Sequence, residues 1–166
     1  MPALYVQDCY EELRQIGELG FGARYTNPVL VVQSFAGKLR DGAGSGGTLV
    51  SERPDIHQAS QLIGRVFVVK KAPHSPPGPI SVGRTADNDI AIPEYSISKR
   101  HCVLRLEMTG PTLTDVGSTN GTLLEGQPVP PKKPMPLRDG SQVTLGRFVF
   151  AFHSPGGFLK MLKALS

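Results

Sequence analysis

Three short segments of the sequence combine residues that can bind an anion. They are Gly83-Arg84, Ser98-Lys99-Arg100-His101 and Gly117-Ser118-Thr119-Asn120-Gly121-Thr122. Arg84 carries a planar, permanently charged guanidinium that matches phosphate oxygens, and Gly83 lets the backbone approach a ligand closely. Ser98 offers a hydroxyl donor, and Asn120 offers a donor and an acceptor that can hold an extended peptide by its main chain. Together these residues predict a site for a phosphorylated peptide.

Ser98, His101 and Asp115 could on paper form the triad of a serine hydrolase. However, the sequence has no G-x-S-x-G segment to expose Ser98 at a strained turn. A second catalytic domain would also not fit beside one well-buried core in 166 residues. We therefore predict that the protein is not an enzyme and has no catalytic residue.

Composition argues against several other classes of ligand. Cys9 and Cys102 lie far apart, without a C-x-x-C segment or a His at ligand spacing, so neither a metal nor another cofactor is expected. The sequence has no long basic run interleaved with aromatic residues, which disfavours nucleic acid. It also has no apolar stretch of about 18 residues, and acidic residues stand where a signal peptide would be basic. These features predict a cytoplasmic protein that does not bind membranes.

Short apolar segments separated by Gly, Pro, Asn and Asp dominate the chain from about residue 61 onward. Phe148, Phe150 and Phe152 alternate with other residues, as expected of a strand with one buried face. Seven or more such strands predict an all-β sandwich. The predicted strands cover residues 66–69, 80–83, 89–92, 101–107, 112–114, 122–124, 142–145 and 148–152.

The first 60 residues differ in charge, with five Lys and Arg against seven Asp and Glu, whereas residues 61–166 have thirteen against seven. Residues 8–16 predict a short helix that is capped by Asp8 and stopped by Gly17 or Gly20. Residues 29–32 predict a strand, and residues 41–47 predict a flexible glycine-rich loop. This extension could be an independent partner site, a flap on the sandwich or a piece that completes the core, and we favour docking onto the sandwich.

The C-terminal residues 157–165 predict a helix, because Phe158, Leu159, Leu162 and Leu165 fall roughly on one helical face that can pack on the main domain. The predicted organisation is an N-terminal extension over residues 1–60, a main domain over 61–153 and a packed helix over 154–166.

Several of these residues recur in a fixed order along residues 64–153. The motifs are Gly83-Arg84, Asn88-Asp89-Ile90, Ser98-x-x-His101, Asp115-x-Gly117-Ser118-Thr119-Asn120-Gly121-Thr122, Leu137-x-Asp139-Gly140 and Val143-x-Leu145-Gly146. In this order and spacing the segment resembles the forkhead-associated (FHA) domain family. The resemblance implies a sandwich of about eleven strands that binds phosphothreonine peptides with the loops at one end.

The resemblance also implies roles for individual residues. Arg84 and Ser98 would hold the phosphate, Thr119 and a basic residue at Lys99 or Arg100 would assist, and Asn120 would contact the peptide main chain. His101 would brace the loops in place of acting as a general base. Gly83 would let backbones approach, and Gly117 and Gly121 would serve turn geometry. Ser96 lies where the selectivity loop of the family is expected, and its small side chain gives no strong charge preference, so the residue preferred three positions after the phosphothreonine is left open.

These features predict a non-catalytic phosphopeptide-binding adaptor for signal transduction downstream of a Ser/Thr kinase. Its partners would be a phosphothreonine-containing protein and the kinase or its substrate. The alternative is a phosphate-independent structural or assembly scaffold that uses the sandwich and the N-terminal extension as its protein-protein interface.

Overall fold

The computed structural model describes residues 3–36 and 58–165, which form two β-sheets packed face to face, two helices of more than two turns and a short helical segment at residues 58–60. The helices are α1 (Val6–Arg24) and α2 (Pro155–Lys163). The strands of the described residues are β1 (Val29–Phe35), β2 (Val66–Val68), β3 (Ile80–Gly83), β4 (Ile90–Ala91), β5 (Cys102–Glu107), β6 (Gly110–Asp115), β7 (Thr122–Leu124), β8 (Gln127–Pro128), β9 (Met135–Pro136), β10 (Ser141–Leu145) and β11 (Phe148–His153). The predicted β-sandwich is therefore confirmed. The predicted glycine-rich loop at residues 41–47 lies outside the described residues.

The larger sheet has the strand order β2-β1-β11-β10-β7-β8, and the smaller sheet has the order β4-β3-β5-β6-β9. Phe148, Phe150 and Phe152 of β11 point into the space between the sheets, where they pack in one cluster with Leu104 and Leu113 of the smaller sheet. Fully burying a side chain of this size stabilises a fold by about 1.5–3 kcal/mol. The three phenylalanines that were predicted to alternate over residues 148–152 therefore form the centre of the core.

β1 lies inside the larger sheet, antiparallel to both of its neighbours. Val31 pairs with Ala151 of β11 on one side and with Val66 of β2 on the other. Leu30 and Val32 face inward and join the main core. The N-terminal strand thus completes the core, and the sandwich includes residues on both sides of the boundary predicted near residue 60.

α1 differs from the predicted helix at both ends. It begins at Val6 with Tyr5 as the N-cap residue, and the Asp8 carboxylate accepts a hydrogen bond from the Tyr5 backbone N–H at 2.9 Å. Asp8 is therefore not the cap but the third residue of the helix, where a carboxylate can satisfy a free N–H of the first turn. Gly17 has a φ of 77° and interrupts the helix, but helical geometry resumes beyond it to Arg24. Neither predicted glycine ends α1.

A second apolar cluster covers part of the outer face of the larger sheet, and we call it the helix-covered face. α2 contributes Phe158 and Leu162, which are fully buried. Leu165 was wrongly predicted on this packed face, because α2 ends at Lys163 and the Leu165 side chain is exposed. Its N-cap Ser154 accepts a hydrogen bond from the Gly157 N–H at 3.1 Å. The complete cluster of buried residues is Cys9, Leu13, Phe21, Val29, Val31, Val66, Phe158 and Leu162. The two helices therefore lie together on one side of the sandwich.

The register of the strands brings several connections to one end of the sandwich, which we call the loop end. Cys102 at the start of β5 pairs with Val82 near the end of β3 and with Asp115 at the end of β6. In the larger sheet, Thr122 at the start of β7 pairs with Leu145 at the end of β10. The β3–β4, β4–β5, β6–β7 and β10–β11 connections consequently meet there.

Among the described residues, neither helix has the length and apolar character needed to span a bilayer.

Candidate functional site

Gly83 and Asn88 set the distance between the β3–β4 and β4–β5 connections. A Cβ atom on Gly83 would lie 2.1 Å from the carbonyl oxygen of Lys99, which no side chain can tolerate. The buried Asn88 amide donates from Nδ2 to the carbonyl oxygens of Thr85 at 2.9 Å and Lys99 at 2.7 Å. The sequence predicted that Gly83 allows a close approach of the backbone. It did not predict a role for Asn88, although Asn88 belongs to the Asn88-Asp89-Ile90 motif.

Arg84 is half-buried and its guanidinium is held by the loop opposite. Nη1 donates to the carbonyl oxygens of Tyr95 at 3.3 Å and Ile97 at 3.1 Å, while the backbone N–H donates to the Ser98 carbonyl at 2.9 Å. A guanidinium has five N–H groups, so those on Nε and Nη2 can still serve a ligand. The side chain is thus oriented before any ligand arrives.

Ser98 and Asn120 join the β4–β5 connection to the β6–β7 connection. Ser98 Oγ accepts a hydrogen bond from the Thr119 backbone N–H at 2.9 Å, which leaves the hydroxyl proton for a ligand oxygen. Asn120 Nδ2 donates to the Ser96 carbonyl at 2.9 Å and keeps a second N–H and its Oδ1 acceptor. Both side chains are therefore positioned and still able to bind.

One cleft of about 470 Å³ at the loop end is lined by all six residues that were predicted to bind a phosphopeptide. Lys99 and Arg100 are exposed at its rim, and within the described part of the chain no carboxylate belongs to its lining. The complete lining is Arg84, Tyr95, Ser96, Ser98, Lys99, Arg100, Gly117, Thr119 and Asn120. Three permanently or normally cationic side chains with hydroxyl and amide donors make this a cleft for an anion.

His101 connects two loops from a fully buried position. Its Nδ1 accepts from the Ser98 backbone N–H at 3.1 Å, so the proton resides on Nε2, which donates to the Gly121 carbonyl at 3.0 Å. Burial lowers the pKa of His101 and outweighs the opposing effects of Gly121 and Asp115. The neutral ring therefore braces the β4–β5 and β6–β7 connections.

Asp115 organises the β6–β7 connection. Its carboxylate accepts hydrogen bonds from the N–H groups of Gly117 at 2.7 Å and Ser118 at 2.9 Å, and from the hydroxyls of Ser118 and Thr122, both at 2.6 Å. Burial alone would raise the pKa of Asp115, but these hydrogen bonds outweigh it and the pKa lies below its usual value. Gly117 and Gly121 have φ values of 102° and 82°, which glycine adopts without strain.

The arrangement of Ser98, His101 and Asp115 is not that of a hydrolase triad. His101 receives its hydrogen bond from the backbone of Ser98 and not from the hydroxyl, and its second nitrogen binds the Gly121 carbonyl. The Asp115 oxygens are engaged by residues of their own loop. A nucleophile, a base and an orienting carboxylate are therefore not connected here.

Ser96 was predicted at the selectivity position, but its side chain is buried and points away from solvent. Its hydroxyl donates to Glu94 and accepts from the Arg147 backbone N–H at 3.1 Å. Glu94 and Arg147 form a buried ion pair, with Nη2 at 2.6 Å and Nε at 3.0 Å from Oε1. This network fixes the β4–β5 connection to the β10–β11 turn, and sequence patterns missed it because two oppositely charged residues 53 positions apart carry no local signal.

Tyr95 is the large exposed side chain of the same connection and lines the cleft beside Arg84. The Arg147 guanidinium lies 4.6 Å from the centre of its ring, a distance typical of a cation–π contact. Sequence reasoning overlooked this residue, although a tyrosine next to the predicted selectivity position was visible. Tyr95 is therefore the exposed side chain of this connection, whereas the Ser96 side chain is buried.

The described residues contain no group of three or more His, Cys, Asp or Glu side chains that could hold a metal ion. Cys9 and Cys102 are separate buried thiols. Burial raises the pKa of both, to about 11 for Cys9, so both are neutral thiols at physiological pH.

Residues 80–146 match the family model described as the FHA domain, which makes this segment of the β-sandwich an FHA domain. The match starts at β3 and ends in the β10–β11 turn, so it includes the whole cleft. It leaves α1, β1, β2, β11 and α2 outside. The family inferred from the motifs is confirmed.

Two curated relatives and one solved structure illustrate the similarity. The chain is 38% identical over 72 residues to the glycogen accumulation regulator GarA of Mycobacterium tuberculosis, covering 43% of each protein. It is 39% identical over 77 residues to the ABC transporter ATP-binding/permease protein Rv1747 of the same species, covering 46% of this chain and 9% of the transporter protein. The chain therefore spans less than half the length of either relative. The solution structure of the FHA domain of an Arabidopsis thaliana hypothetical protein aligns with a TM-score of 0.51 and 24% identity, covering 78% of this chain and 86% of that one, and it supports the fold.

Proposed function

We propose that this protein is a non-catalytic adaptor that binds phosphothreonine peptides in Ser/Thr kinase signalling. The observation that carries the proposal is the convergence of Arg84, Ser98 and Asn120 from three connections around one cationic cleft. A phosphate carries a charge of about −1.5 to −2 at neutral pH and three acceptor oxygens, which match the guanidinium and hydroxyl donors. The FHA match over residues 80–146 supports phosphothreonine as the phosphorylated residue.

The cleft also suits the peptide that carries the phosphate. Asn120 retains an N–H and an oxygen after its bond to Ser96, so it can pair with both groups of one extended residue. The partner would then be a phosphothreonine-containing protein, with a Ser/Thr kinase acting on that partner in the cytoplasm. The unconnected arrangement of Ser98, His101 and Asp115 supports binding without catalysis.

The proposal is tested by titrating a phosphothreonine peptide and its unphosphorylated form into the full chain. Arg84→Ala removes the charged donor, and the loss of about 2–3 kcal/mol expected for charge-assisted hydrogen bonds weakens the affinity roughly 30- to 150-fold. Arg105→Ala, an exposed arginine on β5, is the matched control and should bind like the wild type. Equal binding curves for the wild type and Arg84→Ala would refute the proposal.

The phosphate-independent scaffold is distinguished by treating the partner with phosphatase before a pull-down. An adaptor loses its partner after dephosphorylation, because the cleft then has no dianion to bind. A scaffold retains it, since α1, α2 and the sheet surfaces are unaffected. Retention that survives both phosphatase treatment and Arg84→Ala would favour the scaffold.

A further inference from the structure

Three consecutive carbonyl groups of the β4–β5 connection hold two side chains of the cleft. The carbonyl oxygens of Tyr95 and Ile97 accept hydrogen bonds from Arg84 Nη1, at 3.3 Å and 3.1 Å. The Ser96 carbonyl between them accepts from Asn120 Nδ2 at 2.9 Å. Because the three oxygens belong to one short stretch of backbone, the orientation of Arg84 depends on how firmly that stretch is fixed.

The stretch is part of a four-residue turn over residues 94–97, which we call the anchor turn. The Ile97 N–H donates to the Glu94 carbonyl at 3.0 Å and closes the turn. The buried Glu94 carboxylate accepts from the Ser96 N–H at 2.8 Å and also from the Ser96 hydroxyl. The side chain of the first residue therefore holds the middle of the turn.

Arg147 holds the anchor turn from the β10–β11 turn opposite. Its Nη2 and Nε lie 2.6 Å and 3.0 Å from Glu94 Oε1, and its backbone N–H donates to Ser96 Oγ at 3.1 Å. Its guanidinium lies 4.6 Å from the centre of the Tyr95 ring. Arg147 thus contacts the side chains of three of the four residues of the anchor turn, although Arg147 itself is buried and does not line the cleft.

Stability alone does not explain a buried ion pair at this place. The attraction between two buried charges is largely offset by the cost of removing them from water, and apolar residues of similar size often stabilise a fold as well. An ion pair with several hydrogen bonds differs from an apolar contact in fixing the direction of the groups it joins. Here those groups are the backbone segments whose carbonyls orient Arg84.

We infer that Arg147 is a positioning residue for phosphate binding, which holds the Arg84 guanidinium in its binding orientation through Glu94 and the anchor turn. The inference rests on the proposed function, because it concerns the same cleft. Arg147 lies one residue beyond the segment that matches the family model. The chain therefore supplies part of the support of its cleft from outside that segment.

The test removes the ion pair without leaving a buried charge. Glu94→Gln/Arg147→Met replaces both charged side chains with uncharged ones of similar size, so its urea midpoint should stay close to that of the wild type. Its affinity for a phosphothreonine peptide should fall about 10-fold, the effect expected between members of one hydrogen-bond network. Anisotropy titration of the full chain measures the affinity.

The decisive measurement is the coupling to Arg84. Arg84→Ala is introduced into the wild type and into the double variant, and the loss of affinity is compared. In the wild type the loss should be roughly 30- to 150-fold. In the double variant it should shrink to about 3- to 15-fold, because a guanidinium that is already misdirected contributes less. An ion pair with a structural role alone leaves the loss unchanged, since independent effects on binding add.

Two further variants serve as controls. Lys71→Met/Asp89→Asn removes another ion pair with a buried carboxylate, whose hydrogen bonds go to residues outside the anchor turn. It should leave both the affinity and the loss caused by Arg84→Ala as in the wild type. Arg147→Lys keeps the charge but not the planar fork, so it should weaken binding less than the double variant does. It also supplies the same comparison if the double variant does not fold.

The possible outcomes separate the inference from the proposed function. A folded double variant that binds like the wild type, or an unchanged loss on Arg84→Ala, overturns the inference and leaves the function in place. An equal loss of affinity in the Lys71→Met/Asp89→Asn control also overturns it, because any ion pair would then have the same effect. A wild type that binds the peptide equally well without its phosphate overturns both.

Discussion

The loop end and the helix-covered face use different physics to hold residues in place. At the loop end, polar groups satisfy one another, as when His101 joins the backbone of Ser98 to that of Gly121. On the helix-covered face, α1 and α2 bury Phe21, Phe158 and Leu162 against the sheet without a polar network among these side chains. Hydrogen bonds fix the direction in which a polar group points. The stabilisation from apolar burial is non-directional and scales with the apolar area that is buried.

The two regions therefore serve different tasks in one small protein. Because the loop end positions donors by hydrogen bonds, removing one polar group there should change ligand binding more than stability. The helix-covered face contains no residue that lines the cleft, so truncating it should change stability and not binding. Substitutions at Phe158, Ser98 and His101 test this division.

Phe158→Ala should lower the free energy of unfolding by about 3–5 kcal/mol, the usual cost of removing a fully buried phenylalanine side chain. Its ring packs 6.0 Å from that of Phe21, so the truncation leaves a cavity between α1 and α2. Urea denaturation measures the loss, and a phosphopeptide titration under conditions where the variant stays folded should give the affinity of the wild type. Leu159→Ala, at a half-buried position of the same helix, is the control with a smaller loss. A weakened affinity in folded Phe158→Ala would show that the two regions are coupled.

Ser98→Ala at the loop end should weaken ligand binding and leave the stability nearly unchanged. It removes one donor to the phosphate and the acceptor of the Thr119 N–H, so the affinity for a phosphothreonine peptide should fall about 10- to 30-fold, or about 1.5–2 kcal/mol. The free energy of unfolding should change by about 1 kcal/mol or less, because Thr119 is exposed and water can replace the lost bond. Anisotropy titration and urea denaturation measure the two quantities.

Ser98→Thr keeps the hydroxyl and serves as the matched variant. It should retain most of the affinity that Ser98→Ala loses. If Ser98→Ala instead bound the peptide as tightly as the wild type, the hydroxyl would have no place among the phosphate ligands.

Much of the fold was readable from the sequence, because strands with one buried face leave a period of two. Residues 148–152 illustrate this, since the three phenylalanines face the core as predicted. β8 and β9 were not predicted from periodicity, because each contains two residues including a proline and presents no buried alternation. Asp139-Gly140 is a sequence typical of a hairpin turn, but no hairpin forms there, because β9 and β10 belong to different sheets.

The charged and hydroxyl residues of the cleft could be predicted from the sequence, but the buried residues that hold its loops in place could not. Arg84 and Ser98 stand out by type and spacing, whereas the Glu94–Arg147 ion pair joins positions distant in sequence and depends on tertiary packing. The buried position of the Ser96 side chain has the same origin, because its hydroxyl binds Glu94 of this ion pair, whereas Tyr95 is exposed and lines the cleft. Asp8 was wrongly predicted as the N-cap residue. Aspartate is favoured both at the N-cap and in the first turn of a helix, and here the Asp8 carboxylate accepts a hydrogen bond from the Tyr5 N–H from within the first turn.

The smallest expected effect is a dependence of stability on pH that originates at the loop end. Burial lowers the pKa of His101 below its ordinary value of about 6.5, so the unfolded chain takes up a proton before the folded protein does. The stabilising contribution of neutral His101 is therefore complete above about pH 6.5 and is lost as the pH falls from there through the lowered pKa. At pH 5 one such group can account for at most about 2 kcal/mol of lost stability.

His101→Gln keeps an acceptor and a donor but cannot titrate, so its free energy of unfolding should fall less between pH 7.5 and pH 5.0 than that of the wild type in urea denaturation. The pKa of His153 is also lowered by burial, but His153 is present in both proteins and cancels in the comparison. Equal pH slopes for the two proteins would mean that His101 is not the neutral brace of the loops.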